Sequence, residues 1–286
     1  MRLARFRHDH RQGLGVVLDD RLVDLADAGL PSDMLDLLEA GPVALDVANE
    51  AAERAATAID LTAVELLAPI PRPPKFLAIG LNYADHVAES GQDPPAVPIF
   101  FNKQSTCVIG PGEPVQVPLV SSLVDYEGEL GVVIGRRCRH VPADEAMGVV
   151  AGYVIVNDVS VRDWQLASPT MTMGKSFDTH GPIGPWLTTR DEIADPHDLH
   201  LRTLVNDEVM QDASTEEMIF DIPHQIEHLT AAFTLEPGDV ISTGTPAGVG
   251  IARQPPVLLK HGDVVRIEIE GLGVLENPVL DEPRPG

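Results

Sequence analysis

The sequence predicts an α+β protein that is mostly β, with a small N-terminal α/β domain followed by a larger domain of mixed β-sheets. Helical periodicity is concentrated in the first part of the chain, whereas later residues form short apolar runs separated by Gly, Pro and Asp. Between the two parts, residues 68–75 read APIPRPPK, and four prolines cannot continue a helix but suit an extended linker. We therefore expect domains over residues 1–70 and 71–286.

The N-terminal segment predicts strands followed by two helices. The alternating run RLARFRH and the run GLGVVLDDRLVDLA, which breaks at Asp19 and Asp20, are typical of strands joined by tight turns. SDMLDLLEAG then offers Ser32 as a helix N-cap and Gly41 as a stop. The Ala-rich run LDVANEAAERAATAI has helical periodicity and predicts the second helix.

The second segment predicts many short strands and one clear helix. Apolar runs bounded by turn residues are KFLAIG, ELGVVIG, GVVAGYVIVND, LRTLVNDEVMQ, GDVISTG, DVVRIEIEG and VLENPV. The helix is predicted in DIPHQIEHLTAAF, where Asp221 can cap and Pro223 lies in the first turn. Its apolar face is expected to consist of Ile222, Ile226, Leu229 and Phe233.

Composition excludes several function classes. The formal net charge of −24 and the pI near 4.6 disfavour nucleic acid and anionic membranes as partners. The N-terminal MRLARFRHDHRQ has no apolar leader pattern, and no apolar run is long enough to span a membrane, so we expect a cytoplasmic protein. Cys107 and Cys138 form neither a disulfide framework nor a CxxC metal motif, and buried free thiols are expected.

Three carboxylates are predicted to form a metal site. Side chains alternate along a strand, so Glu127 and Glu129 project from the same face about 7 Å apart. A second apolar strand ends at Asp158. Oxygen-only ligands suit Mg²⁺ or Mn²⁺, whereas zinc prefers His or Cys. The alternative is a solvated strand face, but LGVVIG is typical of a strand buried on both faces, where like charges need a counter-charge.

Cationic and polar residues follow these strands and predict a site for an anionic substrate. Arg162, Gln165 and Lys175 come after Asp158, and Arg and Lys can hold a substrate carboxylate. An ion pair of Arg162 with Asp163 or another acid remains an equal alternative. The run ISTGTPAGVG is no phosphate loop, and we expect it to form a site wall in which Thr245 donates to a carboxylate.

His86 and Glu89 are predicted to form a catalytic pair. Their i, i+3 spacing in GLNYADHVAESG places them side by side on a helix, where Glu89 would orient His86 and raise its basicity. Such a base could activate water. The alternative is an ordinary surface pair, but nearby glycines and the run DPPAVP favour a mobile lid.

Several long motifs, in one order, resemble those of the fumarylacetoacetate hydrolase family. The resemblance covers about residues 72–280 and is carried by KFLAIGLNYADH, DYEGELGVVIG, GYVIVNDVSVRDWQ, GKSFDTHGPIGP, FTLEPGDVISTGTPAGVG and GDVVRIEIEGLG. It implies a mixed β-roll that forms a homodimer and binds Mg²⁺ or Mn²⁺ through Glu127, Glu129 and Asp158. It also implies that Lys175 and Arg162 contact substrate, that Gln165 and Thr245 line the site, and that His86 and Glu89 activate water.

The sequence departs from the larger fumarylacetoacetases in two ways. FLAIGLNY supplies no fourth carboxylate, and the glutamate paired with His86 is the nearby Glu89 instead of a residue from the far C-terminal region. The resemblance therefore implies a hydrolase of acylpyruvate-like β-diketo acids, in which the metal stabilises the pyruvate enolate as the C–C bond breaks. Oxaloacetate decarboxylation and isomerisation or hydration of an unsaturated 2-oxo diacid are the alternatives. A non-catalytic metabolite-binding protein is a further alternative, which the full set of acids and the His86–Glu89 pair disfavours.

Overall fold

The computed structural model describes residues 1–284, which are mostly β with short helices, as the sequence predicts. In that range the α-helices, in chain order, are α1 (Met34–Glu39), α2 (Pro42–Arg54), α3 (Ala84–Ser90), α4 (Ala143–Ala146), α5 (Arg162–Leu166) and α6 (Ile222–Ala232). The strands, in chain order, are β1 (Arg2–His8), β2 (Arg11–Leu18), β3 (Arg21–Asp24), β4 (Ile59–Asp60), β5 (Glu65–Leu67), β6 (Phe76–Gly80), β7 (Ile99–Lys103), β8 (Val108–Ile109), β9 (Val115–Val117), β10 (Val124–Asp125), β11 (Gly128–Ile134), β12 (Val150–Asn157), β13 (Ser160–Val161), β14 (Gly181–Thr189), β15 (His200–Val205), β16 (Glu208–Ser214), β17 (Val240–Ser242), β18 (Val264–Ile269) and β19 (Gly273–Asp281).

The strands form two large mixed sheets. The first runs β4-β3-β2-β1-β14-β12-β11-β17-β6-β7, with β5 paired to β1 and β8 paired to β14. The second runs β16-β15-β18-β19-β9, and β10 and β13 make a separate pair. Most pairs are antiparallel, but β17 with β6, β14 with β8, and β19 with β9 are parallel. The prediction of mixed sheets is confirmed.

The centre of the first sheet is covered on both faces, which explains the unbroken apolar sequence of β11 and β12. On one face, Val133 and Val154 pack in a cluster with Met34 and Leu37 of α1. On the other face, Leu130 and Ile155 belong to a cluster with residues of the second sheet, including Ile267 and Leu275. Every residue of β11 and β12 is buried. Alternate side chains of one strand therefore serve two different cores.

The N-terminal helices form where the sequence predicts them, but with different ends. Asp33, not Ser32, caps α1, because its side chain accepts a hydrogen bond from the backbone N–H of Leu35. The second helix starts at Pro42, whose fixed φ suits a first turn, and ends at Arg54 rather than continuing through residues 55–59. Gly41 lies between the two helices with φ +80, a conformation that glycine adopts without strain.

The later helix α6 matches its predicted cap and most of its buried face. Asp221 accepts a hydrogen bond from the His224 N–H, and Ile222, Ile226 and Leu229 are buried. Phe233 lies outside the helix and is 37% exposed, so its predicted place on the apolar face is wrong. The last turn has ended before this residue, and its backbone is extended.

Residues 1–70 and the following segment share the first sheet. Strand β1 pairs with β14 through Arg2 and Leu3, and β1 also pairs with β5. The division of the chain at residue 70 stays a prediction. Among residues 1–284, no helix is both long and apolar enough to cross a membrane.

Candidate active site

Two adjacent strands bring the predicted carboxylates together. Glu127 precedes β11, Glu129 is its second residue, and Asp158 follows β12. Because Gly128 faces Asn157 in the antiparallel register, Glu127 lies beside Asp158, and the Asp158 N–H donates to the Glu127 carbonyl at 2.9 Å. All three side chains are buried, and their candidate ligand oxygens lie within 4.8 Å of one another. The arrangement predicted from strand alternation is thus present.

Glycine at position 128 lets this part of the strand pack tightly on its opposite face. A Cβ there would lie 2.1 Å from the Thr203 hydroxyl oxygen, which is closer than packing permits. The Gly128 N–H donates to Gln211 Oε1 at 2.9 Å. Any larger residue would push β11 away from the second sheet and displace the two glutamates that flank it.

Three buried cations surround the carboxylates. Lys175 Nζ lies 2.6 Å from Glu127 Oε2 and 2.8 Å from Asp158 Oδ2. Arg162 contacts Glu127 Oε1 at 2.7 Å through Nη1 and Asp125 Oδ2 at 2.8 Å through Nε. Lys103 Nζ donates to Asp158 Oδ1 at 2.6 Å and also to the Lys175 carbonyl. The floor of the site is therefore a network of paired charges, not an isolated acidic patch.

The ion-pair alternative for Arg162 is correct in kind, but the partners are Asp125 and Glu127. Asp163 instead accepts a hydrogen bond from the Ser121 hydroxyl at 2.8 Å. Asp125 is fully buried and also accepts N–H donors from Gly250 and Ile251. Asp125 thus anchors Arg162 and is not part of the three-carboxylate cluster.

Sequence reasoning missed Lys103. It ends β7, one residue after the apolar run PIFF, and it is 3% exposed. A lysine so close to an apolar run in a strand is a detectable signal, since lysine is almost never fully buried unless it is paired. Its partner, however, lies 55 residues away, so only the tertiary structure identifies Asp158.

The charge state of the cluster favours a bound divalent cation. Burial alone would raise the pKa of Glu127, but Lys175 and then Arg162 outweigh burial and lower this pKa to about 2. The pKa of Glu129 is raised well above its ordinary value by burial and by the nearby Asp158 and Glu127. Two donors, Ser242 Oγ and the Gly244 N–H, both bind Glu129 Oε2, while Oε1 has no hydrogen-bond partner within residues 1–284. The cluster offers only oxygen ligands and is one positive charge short of balance, and both properties fit a bound divalent cation.

The predicted His86–Glu89 pair forms on helix α3. His86 Nδ1 lies 3.2 Å from Glu89 Oε1, and Glu89 Oε2 accepts the Gly248 N–H at 2.8 Å. Burial alone would raise the pKa of Glu89, but the hydrogen bonds from His86 and Gly248 hold this pKa below its usual range. Glu89 is therefore ionised and can only accept, so His86 Nδ1 carries the hydrogen. His86 Nε2 makes no hydrogen bond with residues 1–284, and in the neutral form of the ring this atom bears the lone pair.

The loop over residues 243–251, after β17, connects the floor to helix α3. Its backbone N–H groups donate to four site carboxylates, those of Glu129, Asp85, Glu89 and Asp125. The predicted site wall is thus built from backbone donors. The Thr245 hydroxyl donates to the Gly128 carbonyl and accepts from Gln211 Nε2. The hydroxyl hydrogen of Thr245 is therefore used in a hydrogen bond within the protein. The backbone N–H of Thr245 is the group that can donate to a ligand.

One cavity contains almost the whole predicted site. Its volume is about 750 Å³, and every predicted site residue except Asp158 lines it, namely His86, Glu89, Glu127, Glu129, Arg162, Gln165, Lys175 and Thr245. Asp158 lies directly behind Lys175, at 2.8 Å. Gln165 Oε1 accepts a hydrogen bond from Arg162 Nη1 at 2.9 Å, which fixes its side chain at the cavity wall. A small acid can therefore reach both the carboxylate floor and the His86–Glu89 pair.

The two cysteines are free thiols outside the cavity. Cys107 is buried, as expected, whereas Cys138 is only partly buried. His180 lies in a loop, where its Nε2 hydrogen-bonds the Gln116 carbonyl at 2.8 Å.

Comparisons with known proteins find relatives that match almost the whole chain. Oxaloacetate tautomerase Fahd2a, mitochondrial, of Rattus norvegicus is 43% identical over 98% of this chain and 92% of its own. The solved structure of a putative HpcE protein from Mycobacterium smegmatis is 39% identical, with a TM-score of 0.87 over 99% of this chain and 100% of that chain. Maleylpyruvate hydrolase from Sphingobium sp. SYK-6, in complex with manganese(II) ion and pyruvate, is 35% identical, with a TM-score of 0.83 and the same coverage. Residues 75–280 match the family model for the fumarylacetoacetate (FAA) hydrolase C-terminal region. The chain therefore belongs to the fumarylacetoacetate hydrolase family of enzymes.

Proposed function

We propose that this protein is a divalent-metal-dependent enzyme that converts a 2-oxo acid to its enol form, and that oxaloacetate is its substrate. The observation that carries the proposal is the meeting of a buried three-carboxylate cluster with the His86–Glu89 pair at one cavity. The similarity to a protein named as an oxaloacetate tautomerase supports this choice of substrate. Tautomerisation moves a proton from the carbon beside the 2-oxo group to the oxygen, so it needs a base and an acid.

The metal is proposed to be Mg²⁺ or Mn²⁺, held by Glu127, Glu129 and Asp158. Bound there, it supplies a Lewis acid for the oxygen atoms of the substrate. The donor set contains only carboxylate oxygens, which favours these ions over zinc. The similarity to a hydrolase solved with manganese supports a divalent ion at the same kind of site.

His86 is proposed as the base. Its Nδ1–H donates to the ionised Glu89, so Nε2 has the lone pair that accepts the proton from carbon. A positioned general base contributes about 10²–10⁴-fold to such a step. Glu89 stabilises the imidazolium that forms, and the N–H of Gly248 fixes Glu89 in turn.

Lys175 is proposed as a protonated donor to the substrate oxygens. Burial alone would lower the pKa of Lys175, but Asp158 and Glu127 outweigh burial and raise this pKa, so the amine is charged at neutral pH. Arg162 uses Nε and Nη1 on Asp125, Glu127 and Gln165, while Nη2 is buried 2.7 Å from Asp125 Oδ2 without a hydrogen bond among residues 1–284. Its contribution to binding is therefore mainly its positive charge. Gln165 and the Thr245 N–H supply neutral contacts for the substrate carboxylate.

The test is a spectroscopic assay of the conversion between the keto and enol forms of oxaloacetate. Exhaustive chelation is expected to abolish the catalysed rate, and Mg²⁺ or Mn²⁺ is expected to restore it. His86→Ala should lower the rate by about 10²–10⁴-fold with metal bound. The matched control is His224→Ala, because His224 pairs with Asp221 at 2.6 Å on α6, also at i, i+3 spacing, outside the cavity. Full activity after chelation, or equal rates in the two variants, would reject the proposal.

Hydrolysis of acylpyruvates is a second candidate function, because the same His86 Nε2 could take a proton from an attacking water. The similarity to maleylpyruvate hydrolase supports it. Pyruvate release from acetylpyruvate, measured with a coupled dehydrogenase, distinguishes the candidates. Release that depends on metal and on Glu89 would establish hydrolysis, whereas tautomerisation without release would exclude it. Oxaloacetate decarboxylation is measured in the same assay, and it should depend less on Glu89, because no water is deprotonated.

We also propose that the protein is a homodimer, as the resemblance of its motifs implies. Light scattering coupled to gel filtration should then give about twice the chain mass of 30.7 kDa. A mass equal to that of one chain at micromolar concentration would contradict this proposal.

A further inference from the structure

The cavity has a charged floor and an apolar outer wall. The floor consists of the carboxylate cluster with Arg162 and Lys175. We define the outer wall by the apolar residues Ile99, Leu166, Met171, Val249 and Ile251, all of which line the cavity. Leu166 is 80% exposed, while Ile99 and Ile251 are 37% and 38% exposed, so these three lie at the mouth. Any substrate longer than the floor must place its far end against this wall.

No lysine or arginine stands on the outer wall. Among the lining residues within 1–284, the permanently charged cations are Arg162 and Lys175, and both are committed to floor carboxylates. The other ionisable lining residues outside the floor are Glu89, which is anionic, and its partner His86. The field along the outer wall therefore opposes a second negative charge.

This distribution of charge in the cavity favours an apolar far end of the substrate over a charged one. An apolar group gains about fourfold in affinity for each methylene that it buries against the wall. A carboxylate must lose water there without a counter-charge, and Glu89 adds a repulsive charge. A four-carbon diacid such as oxaloacetate escapes this effect, because both of its carboxylates stay within reach of the floor.

We propose that the outer wall selects 2-oxo acids whose far end is short or apolar and rejects those that carry a second, distal carboxylate. The proposal rests on the proposed function, since it assumes that a 2-oxo acid head group binds at the floor. It names Met171 and its neighbours as specificity-determining residues.

The test compares two ligands of equal length on the metal-loaded protein. 2-Oxohexanoate ends in a methyl group and 2-oxoadipate ends in a carboxylate, and pyruvate reports on the floor alone. Calorimetric titration should show 2-oxohexanoate binding at least about tenfold more tightly than 2-oxoadipate. The reason is that burial of an apolar end is favourable, whereas burial of an unpaired charge is costly. Equal or tighter binding of 2-oxoadipate would overturn the inference. Absence of binding by all three ligands would instead reject the proposed function.

A charge introduced into the wall should reverse this preference. Met171→Lys places a cation there, and Met171→Gln is the matched uncharged polar variant. We expect Met171→Lys, and not Met171→Gln, to bind 2-oxoadipate more tightly than 2-oxohexanoate, with pyruvate affinity similar in both variants. The same ligand ranking in the two variants would overturn the inference. If either variant fails to fold, Leu166→Lys and Leu166→Gln at the exposed mouth repeat the comparison with the same outcomes.

Discussion

The buried carboxylates of the site differ in charge because each is held by different donors. Glu127 has Lys175 and Arg162 within hydrogen-bond distance, whereas the donors to Glu129 among residues 1–284 are a hydroxyl and a backbone N–H. A cation stabilises the ionised form more than a neutral donor does, so Lys175 and Arg162 outweigh burial and lower the pKa of Glu127, whereas burial and the nearby Asp158 and Glu127 raise that of Glu129. Glu129 is therefore the carboxylate whose negative charge the neighbouring donors compensate least, and a bound cation would lower its pKa most.

Lys103 is predicted to be essential for the stability of this network. Lys103→Met keeps the length of the side chain but leaves the buried Asp158 with one cation fewer. Breaking a buried pair by removing one partner costs about 3–5 kcal/mol. Denaturant unfolding of the metal-free protein should show a loss of that order. The double variant with Asp158→Asn should lose less than the sum of the single variants, and additive losses would contradict the pairing.

His180 is predicted to make folding sensitive to mild acid. Burial lowers its pKa to about 4, from an ordinary value near 6.5. Between these values the unfolded chain binds a proton that the folded protein does not, so stability present above pH 6.5 is lost as the pH falls towards 4. The expected slope is about 1.4 kcal/mol per pH unit. His180→Gln should flatten the dependence of the unfolding free energy on pH in this window, and an unchanged slope would show that other groups cause it.

Side chains whose position follows from local geometry could be predicted from the sequence. Glu127 and Glu129 share a strand face by alternation, and His86 and Glu89 share a helix face by spacing. The partners of Arg162 and Lys103 could not be predicted, because they depend on strand order and on which strands are neighbours. Asp163, adjacent in sequence to Arg162, was a plausible partner, but the start of helix α5 directs the two side chains apart, and Asp163 bonds Ser121.

At the scale of elements, the loop over residues 243–251 holds helix α3 in place over the cavity. Asp85 accepts the Ala247 N–H at 3.1 Å through Oδ2 and the His86 N–H at 2.6 Å through Oδ1. Glu89 makes a second tie to the loop through Gly248. Two backbone donors of one loop therefore fix the orientation of the helix that carries His86. The sequence predicted the helix and the loop as separate motifs, and their contact required the fold.

Asp85→Ala is predicted to loosen helix α3 without removing the base. A hydrogen bond to a charged group contributes about 1.5–3 kcal/mol, so kcat/KM for a 2-oxo acid should fall about tenfold or more. Hydrogen exchange over residues 84–90 should become faster, while metal affinity stays near that of the wild type. Asp36→Ala is the matched control, because Asp36 is an exposed first-turn acid of α1. Unchanged exchange over α3 would show that Asp85 does not tie the helix down.

Local sequence signals predicted where helices lie more accurately than the residues at which they begin and end. Asp221 fixes the start of α6 because its side chain bonds the first turn, and no adjacent residue competes with it. At α1, Ser32 and Asp33 are both good caps, and the structure uses the one that reaches the Leu35 N–H. The end of α2 at Arg54 had no sequence signal, since AATAI continues the helical pattern. There residue Ile59 joins strand β4 instead, a pairing that local propensity does not reveal.

At the scale of the whole molecule, the site is an exception to the overall charge. The chain carries a formal net charge of −24, yet three of its cations are buried around one cluster of carboxylates. The general field repels an anionic substrate, so local cations and a bound metal must reverse it at the cavity. This arrangement accounts for the burial of Lys103, Lys175 and Arg162, which would be costly without the carboxylates they pair with.

The metal site lies on the central strands that both cores share, so metal binding is predicted to stabilise the whole fold. Free Mg²⁺ or Mn²⁺ at a hundred times its Kd would add about 2.7 kcal/mol to the unfolding free energy, because the ion binds the folded state. For a chain of 286 residues the Tm should rise by about 4–5 °C.

Glu129→Gln tests whether metal bound at the cluster causes this stabilisation, because the substitution should affect the metal-free and the metal-bound protein in opposite directions. Without metal the variant should be at least as stable as the wild type, since a neutral amide avoids both the burial of a charge and the repulsion from Asp158 and Glu127, which together raise the pKa of Glu129. With metal it should lose most of the increase in Tm, because one ligand is missing. Glu270→Gln, an exposed change outside the cavity, should retain the full increase. An equal metal-induced shift in Glu129→Gln and in the wild type would show that the ion binds elsewhere and that the carboxylate cluster serves only to hold Lys175 and Lys103.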